Sequence, residues 1–296
     1  MVCFLHRRRA GLRLSKGDGA RPSWPHPLCA SETPPRQRAR RPRDQRGGTG
    51  LSTVLILGAT SGIATALARE FSAHKFDLVL GGRNRDELSV LASDLSIRHG
   101  VQAGTLPFDA LDTETHAGSL RSFLAQAGNA LVGAVVCIGY LGDQVKGQSD
   151  WDEARLILET NFTGCVSALN ILANHFERRR AGFICAISSV AGDRGRQSNY
   201  LYGAAKAGLS VYLQGLRNRL FAAGVEVITV KPGFVDTRMT YGRSGMFLVA
   251  SPESVAKGIF RAIVKGRGEV YLPWFWRPIM LVVKSIPEAI FKRLRT

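Results

Sequence analysis

From residue 53 onward the chain alternates short, apolar, β-branched runs with longer stretches of helical period, and this alternation restricts the fold more than any other feature. The runs are TVLIL (53–57), DLVLG (77–81), AGTLPF (103–108), LVGAVVCI (131–138), GFICAIS (182–188), VEVITV (225–230) and GEVYL (268–272). Helical period fills the gaps, most clearly over 62–74, 85–99, 150–178, 199–222 and 252–265. A strand with one face in water would alternate apolar and polar residues, whereas these runs are nearly continuous. They predict a parallel seven-stranded sheet covered by helices on both faces, a doubly wound α/β domain without internal repeats.

The chain has material for such a core, with 296 residues of which 45% are hydrophobic. Its formal charge of +17 is unevenly placed: residues 1–50 hold twelve Arg/Lys against three Asp/Glu, a net of +9 that leaves +8 for residues 51–296. The same segment is rich in Pro and Gly and lacks periodic apolar residues, so 1–50 reads as a disordered basic extension of a single domain. No long apolar stretch follows its basic start, which argues against a secretory signal; an Arg-rich transit peptide and a start-site artefact both stay open. With so much of the charge in the extension, no nucleic-acid partner is expected. Cys3, Cys29, Cys137, Cys165 and Cys185 form no CxxC pair, and three of them sit in apolar runs. Neither a disulfide framework nor a metal site is expected, and a reduced compartment fits.

Chemistry first appears at residues 58–64, GATSGIA, between the first strand and the first helix. In a Rossmann-type sheet this turn aims backbone N–H groups and a helix N-terminus at an anion. Gly58 permits the sharp turn and Gly62 a close backbone approach to a pyrophosphate, while Ala64 stands where a third glycine is usual. The second strand ends in Gly81 and Gly82, which offer no carboxylate to a ribose 2′-hydroxyl, and Arg83 follows. A guanidinium there suits a 2′-phosphate, so NADP(H) is expected over NAD(H). Asp109 closes the third strand, where it can accept from an adenine amino group or cap a helix.

Further along, Tyr202 and Lys206 are spaced to share one helix face. A neighbouring ammonium and an oxidised nicotinamide both favour a phenolate, which makes Tyr202 a tunable proton donor. Ser189, at the end of the fifth strand, can hydrogen-bond a substrate carbonyl, and Asn161 can hold a water that relays protons to Lys206.

In this order the residues resemble the short-chain dehydrogenase/reductase family over about 53–265. The resemblance implies a catalytic set of Asn161, Ser189, Tyr202 and Lys206. It implies a cofactor held by Gly58, Thr60, Ser61, Gly62, Ile63, Arg83, Asp109, Gly139, Tyr202, Lys206, Pro232, Gly233 and Thr237. One departure is Val136-Cys137-Ile138-Gly139, where the family often reads NNAG; side-chain amides that would tie strands together are missing.

The phrases GYLGDQ, SSVAGDRGRQSNYLYGAAKAGL and PWFWRPIM…IPEAIFKRL also resemble the reductase subunits of decaprenylphosphoryl ribose epimerases and their bacterial relatives. That resemblance implies reduction of a lipid-linked 2-keto-sugar in cell wall biosynthesis, a separate flavoprotein oxidase upstream, substrate contacts from Asp143, Gln144 and Arg194, and a homo-oligomer. Reduction of a fatty acyl, sphingoid or steroid ketone is the alternative, and a non-catalytic dinucleotide-binding sensor is a third.

Beyond the expected domain at 51–272, the tail 273–296 is too short and too interrupted by Arg277, Pro278 and Lys284 to span a bilayer. Trp274, Trp276, Lys292, Arg293 and Arg295 suit a segment lying in the membrane interface, on the inner face of a cytoplasmic membrane. On that reading, deleting the tail leaves the catalytic residues in place; packing on the enzyme's own core is the competing expectation.

Overall fold

The structure, a computed structural model, describes residues 52–242 and 247–294; the basic extension and Arg295 lie outside the described residues. Seven strands are present: β1 (Thr53–Leu57), β2 (Asp77–Gly82), β3 (Ala103–Pro107), β4 (Leu131–Val136), β5 (Phe183–Ile187), β6 (Glu226–Pro232) and β7 (Glu269–Leu272). All pair in parallel in the order β3-β2-β1-β4-β5-β6-β7. The order reverses between β1 and β4, which leaves a crevice beyond their carboxyl ends where such sheets bind ligands.

Successive side chains of β1 serve opposite faces, as a strand period of two requires. Val54 and Ile56 join a core with Leu67 and Phe71 of α1 (Gly62–Ala73), Leu88 of α2 (Arg85–His99), and Ile259 and Phe260 of α8 (Pro252–Lys265). Leu55 and Leu57 join a second core with Leu120 of α3 (Thr113–Ala127), Leu169 and Leu172 of α6 (Gly164–Arg179), and Leu209 and Leu213 of α7 (Tyr200–Phe221). Two buried faces explain the unbroken apolar runs. The edge strand β3 is the exception, with Gly104, Thr105 and Pro107 exposed.

Helix ends are set by local chemistry. The side chain of Asn84 accepts from the backbone N–H groups of Asp86 and Glu87 and starts α2, and Gly100, at φ 63°, stops it. Ser251 and Pro252 start α8, and Gly266, at φ 61°, ends it. Each polar N-cap contributes about 1 kcal/mol.

The periodic stretch expected as one helix over 150–178 is interrupted. After the short α4 (Gln144–Gly147), α5 (Trp151–Leu158) passes through a π turn (Glu159–Thr163) into α6. The run Trp151–Arg179 is long and apolar enough to cross a membrane by length and composition, and its buried side packs in the second core.

The tail forms α9 (Trp276–Ser285) and α10 (Glu288–Phe291). Trp276, Met280 and Phe291 are buried while Trp274, Leu281, Val282, Ile290 and Leu294 are exposed. The segment after residue 272 therefore contributes Trp276, Met280 and Phe291 to the packed interior and leaves its other face exposed. An amphipathic helix beside a sheet end buries its apolar stripe wherever the sheet offers uncovered area, here against Val190 and Phe234.

Candidate active site

At the β1–α1 turn, Gly58 adopts φ +77°, and a Cβ there would strike the Cys137 carbonyl at 2.5 Å. Only glycine fits. The Gly58 and Ala59 N–H groups donate to the Gly81 carbonyl at 2.9 and 3.0 Å, which ties the turn to β2. Ser61 caps α1 by accepting from Ala64 N, and its hydroxyl lies 3.4 Å from Cys137 Sγ. A cysteine thus makes side-chain contact at the position where the resemblance leads one to look for an amide, and burial pushes its thiol pKa up. A Cβ on Gly62 would lie 3.0 Å from Thr237 Cγ2, so the loop after β6 closes over the N-terminus of α1.

Two adjoining cavities open on this turn. The first, of about 310 Å³, is lined by Gly58, Thr60, Ser61, Arg83, Asp109, Gly139 and Arg238 among others. Arg238, which sequence reasoning missed, donates to the Thr60 carbonyl at 2.7 Å and lies 3.6 Å from Glu87. The Asp109 carboxylate accepts from Leu111 N at 3.1 Å, so it shapes its own turn while lining the cavity. Its carbonyl accepts from His116 Nε2 at 2.7 Å, which places the proton on Nε2 and leaves Nδ1 to meet the Ser167 hydroxyl at 2.9 Å. The glycine cradle and the N-terminus of α1 beside it fit the pyrophosphate of a dinucleotide.

The second cavity, of about 280 Å³, brings together Ser61, Gly62, Ile63, Gly139, Ser189, Tyr202, Lys206, Pro232, Gly233 and Thr237. Lys206 is buried, and its ammonium donates to the carbonyls of Ile138 and Ile187, each at 3.1 Å. It lies 5.7 Å from the Tyr202 ring centroid. Two of its three protons are engaged, and one remains for a ligand. The adjacent serines both line the cavity, but the Ser188 hydroxyl is spent on Ser210 and the Lys206 carbonyl, whereas that of Ser189 accepts from Ala191 N and keeps its proton.

Asn161 sits in the π turn, and its side chain is engaged by the neighbouring backbone. Both protons of its amide are used, toward the carbonyls of Tyr140 (2.5 Å) and Ile157 (2.8 Å), while Oδ1 accepts from Tyr140 N (3.1 Å). The amide pins the backbone next to Gly139, and a lone pair of Oδ1 is the one polar function it has left. A helical period cannot signal such a turn, because one inserted residue leaves the flanking apolar pattern nearly intact.

The three residues expected to touch substrate are engaged elsewhere. Asp143 caps α4 through Val145 N and Lys146 N. Gln144 accepts from Leu201 N at the start of α7. Arg194 pairs with Glu288 at 2.6 Å and lies over the Phe291 ring at 4.4 Å. Arg196 and Asn199 line the cavity instead.

Beneath the loop after Ser189, buried Lys231 contacts Asp193 at 2.8 Å and Glu269 at 3.0 Å, and the Tyr271 hydroxyl donates to Asp193 at 2.7 Å. Burial alone would push the Lys231 ammonium down, but hydrogen bonds and charges from Asp193 and Glu269 outweigh it and hold the pKa above its usual range. Burial, then the bond to Asp193, pushes Tyr271 up to about 12.

A family model described as short chain dehydrogenase matches residues 52–245. An uncharacterized oxidoreductase of Mycobacterium tuberculosis is 37% identical over 246 residues, covering 83% of this chain and 98% of its own length. An uncharacterized oxidoreductase of Streptomyces coelicolor is 35% identical over 254 residues, covering 86% of this chain and 99% of its own length. A solved short-chain dehydrogenase from Sphingobium yanoikuyae in complex with NADPH has the same fold, with a TM-score of 0.66 and 24% identity over 81% of this chain and 98% of that one.

Proposed function

Because the chain belongs to the short-chain dehydrogenase/reductase family, we propose that it uses NADP(H) to reduce a ketone to a secondary alcohol, with Tyr202 as proton donor and a lipid-linked 2-keto-sugar as substrate. The observation that carries the reading is the convergence of Ser189, Tyr202 and Lys206 on one cavity beside the backbone of Gly139 and Gly233.

A bound reduced nicotinamide supplies the hydride. The Tyr202 hydroxyl donates its proton to the carbonyl oxygen, and the Ser189 hydroxyl, which accepts from Ala191 N, keeps its own proton free to donate to the same atom. Lys206 holds positive charge near the Tyr202 ring, which favours the phenolate left by proton transfer. The guanidinium groups of Arg83 and Arg238 in the adjoining cavity support NADP(H) over NAD(H).

Ile63, Leu141, Val190, Phe234 and Met239 give the cavity an apolar wall, which supports a lipid-linked substrate. The outward face of the tail, with Trp274, Leu281, Val282 and Ile290 flanked by exposed Arg277, Lys284, Lys292 and Arg293, supports peripheral contact with the inner face of the cytoplasmic membrane. Exposed Val211 and Phe221 on α7 support a homo-oligomer, and a flavoprotein oxidase would supply the ketone.

The test follows NADPH consumption with a keto-sugar lipid phosphate and with fatty acyl, sphingoid and steroid ketones. Reduction of the keto-sugar, lowered about two powers of ten or more by Tyr202→Phe at unchanged NADPH binding, is expected. Near-normal turnover by the variant removes Tyr202 as the donor, and faster reduction of another ketone replaces the substrate.

A further inference from the structure

Arg196 enters the reductase cavity from the loop that joins Ser189 to α7. Among the described residues its guanidinium has one hydrogen-bond partner, the thioether sulfur of Met280 at 3.5 Å, and sulfur is a weak acceptor. The acid closest in sequence, Asp193, is bound to Lys231 and Tyr271. Arg194, two residues away, already has its carboxylate in Glu288. Burial pushes the pKa of Arg196 down, and the charge of Asp193 offsets this only in part.

Among the described residues, the cavity lining holds three cations, Arg196, Lys206 and Arg238, and no Asp or Glu. Lys206 is held by two carbonyls, and Arg238 by the Thr60 carbonyl and Glu87 on the dinucleotide side. Among the described residues, Arg196 alone of the three lacks an oxygen acceptor. Asn199, on the same loop and the same cavity wall, has a buried side-chain oxygen without a partner. Around them Val190 and Phe234 are apolar, so a charged guest would meet little competition from water.

We propose that Arg196, with Asn199 beside it, forms a subsite for an oxyanion that the substrate carries away from its carbonyl, a carboxylate or a phosphate ester. This deepens the ketone-reductase reading and rests on it. A planar guanidinium with free N–H donors matches either group through paired hydrogen bonds, and the Asn199 amide accepts from a neighbouring hydroxyl or, rotated, donates to the anion.

The test titrates the NADPH-loaded enzyme with octyl phosphate, octanoate and octanol, ligands that need no turnover. At least one anion should bind more tightly than octanol, and Arg196→Gln should weaken that anion about tenfold or more while octanol and NADPH bind as before. The stronger of the two anions identifies the oxyanion. Arg196→Lys should retain part of the preference, and it replaces Arg196→Gln should the latter fail to fold. Octanol binding as tightly as both anions overturns the subsite, and so does loss of NADPH affinity, which would hand Arg196 to the cofactor. Matched neutral and anionic ketones then separate the two readings. Arg196-dependent anion binding without reduction of any ketone leaves the subsite and removes the reductase reading, and reduction indifferent to charge does the reverse.

Discussion

The indole of Trp276 fills the space where a Cβ on Gly233 would stand. Gly233 follows β6 and lines the catalytic cavity, and Trp276 opens the tail helix, so the tail holds one wall of the site. Gly233→Ala should destabilise the fold and weaken NADPH binding, and Trp276→Ala should cost about 3–5 kcal/mol through the cavity it leaves. In the double variant the alanine at 233 should cost almost nothing more, because its clash is gone. Denaturant melts measure this, and additive losses would show that the contact does not limit residue 233.

Arg83 and Arg238 line the same cavity beside the β1–α1 turn. Arg83→Ala should weaken NADPH far more than NADH in equilibrium titrations, because only NADPH has a 2′-phosphate to lose. Equal weakening of both would reassign Arg83 to the helix surface.

Lys231 and Tyr271 both hold their protons more tightly in the fold than in the unfolded chain. A raised pKa stabilises the native state below the unfolded value, about 10 for each group, and that contribution is lost as pH climbs through the folded value. Melting temperature should respond to neither group up to roughly pH 10 and fall as pH approaches 12, with a shallower fall in Tyr271→Phe. The same alkaline fall in wild type and variant would exclude Tyr271 as its source.

Membrane contact is tested by changing only the exposed face of the tail. Leu281→Glu with Val282→Glu should leave the unfolding free energy within about 0.5 kcal/mol of wild type per substitution, since both side chains are exposed. Wild-type binding to phosphatidylglycerol vesicles should rise with anionic lipid and fall with salt, and the double variant should lose it. Vesicle binding unaffected by the two glutamates would exclude this face.

Much of the fold is written in local pattern. The strand at 53–57 and the helices at 85–99 and 252–265 have the boundaries expected from apolar and helical period, and the structure shows Asn84, Gly100 and Ser251 capping those helices. The spacing of Ser189, Tyr202 and Lys206 likewise follows from strand-end and helical geometry, and the structure brings all three to one cavity. The π turn at Asn161 was not legible, because its hydrogen bonds run to Tyr140 and Ile157 and leave no mark on the apolar period.

Local order in the sequence by itself determined the seven parallel strands, their helical covering and the turn at Gly58, since each depends on the period and backbone freedom of a few neighbouring residues. The tertiary structure alone decided which arginine faces the cavity. Arg194 and Arg196 are indistinguishable by spacing, but Glu288, 94 residues away, captures the first, while the second, among the described residues, hydrogen-bonds only Met280. It also decided that one tail face is interior and the other outward, because burial depends on what area the sheet end leaves uncovered. Desolvation and charge pairing are set by neighbours in space, which no single stretch of sequence contains.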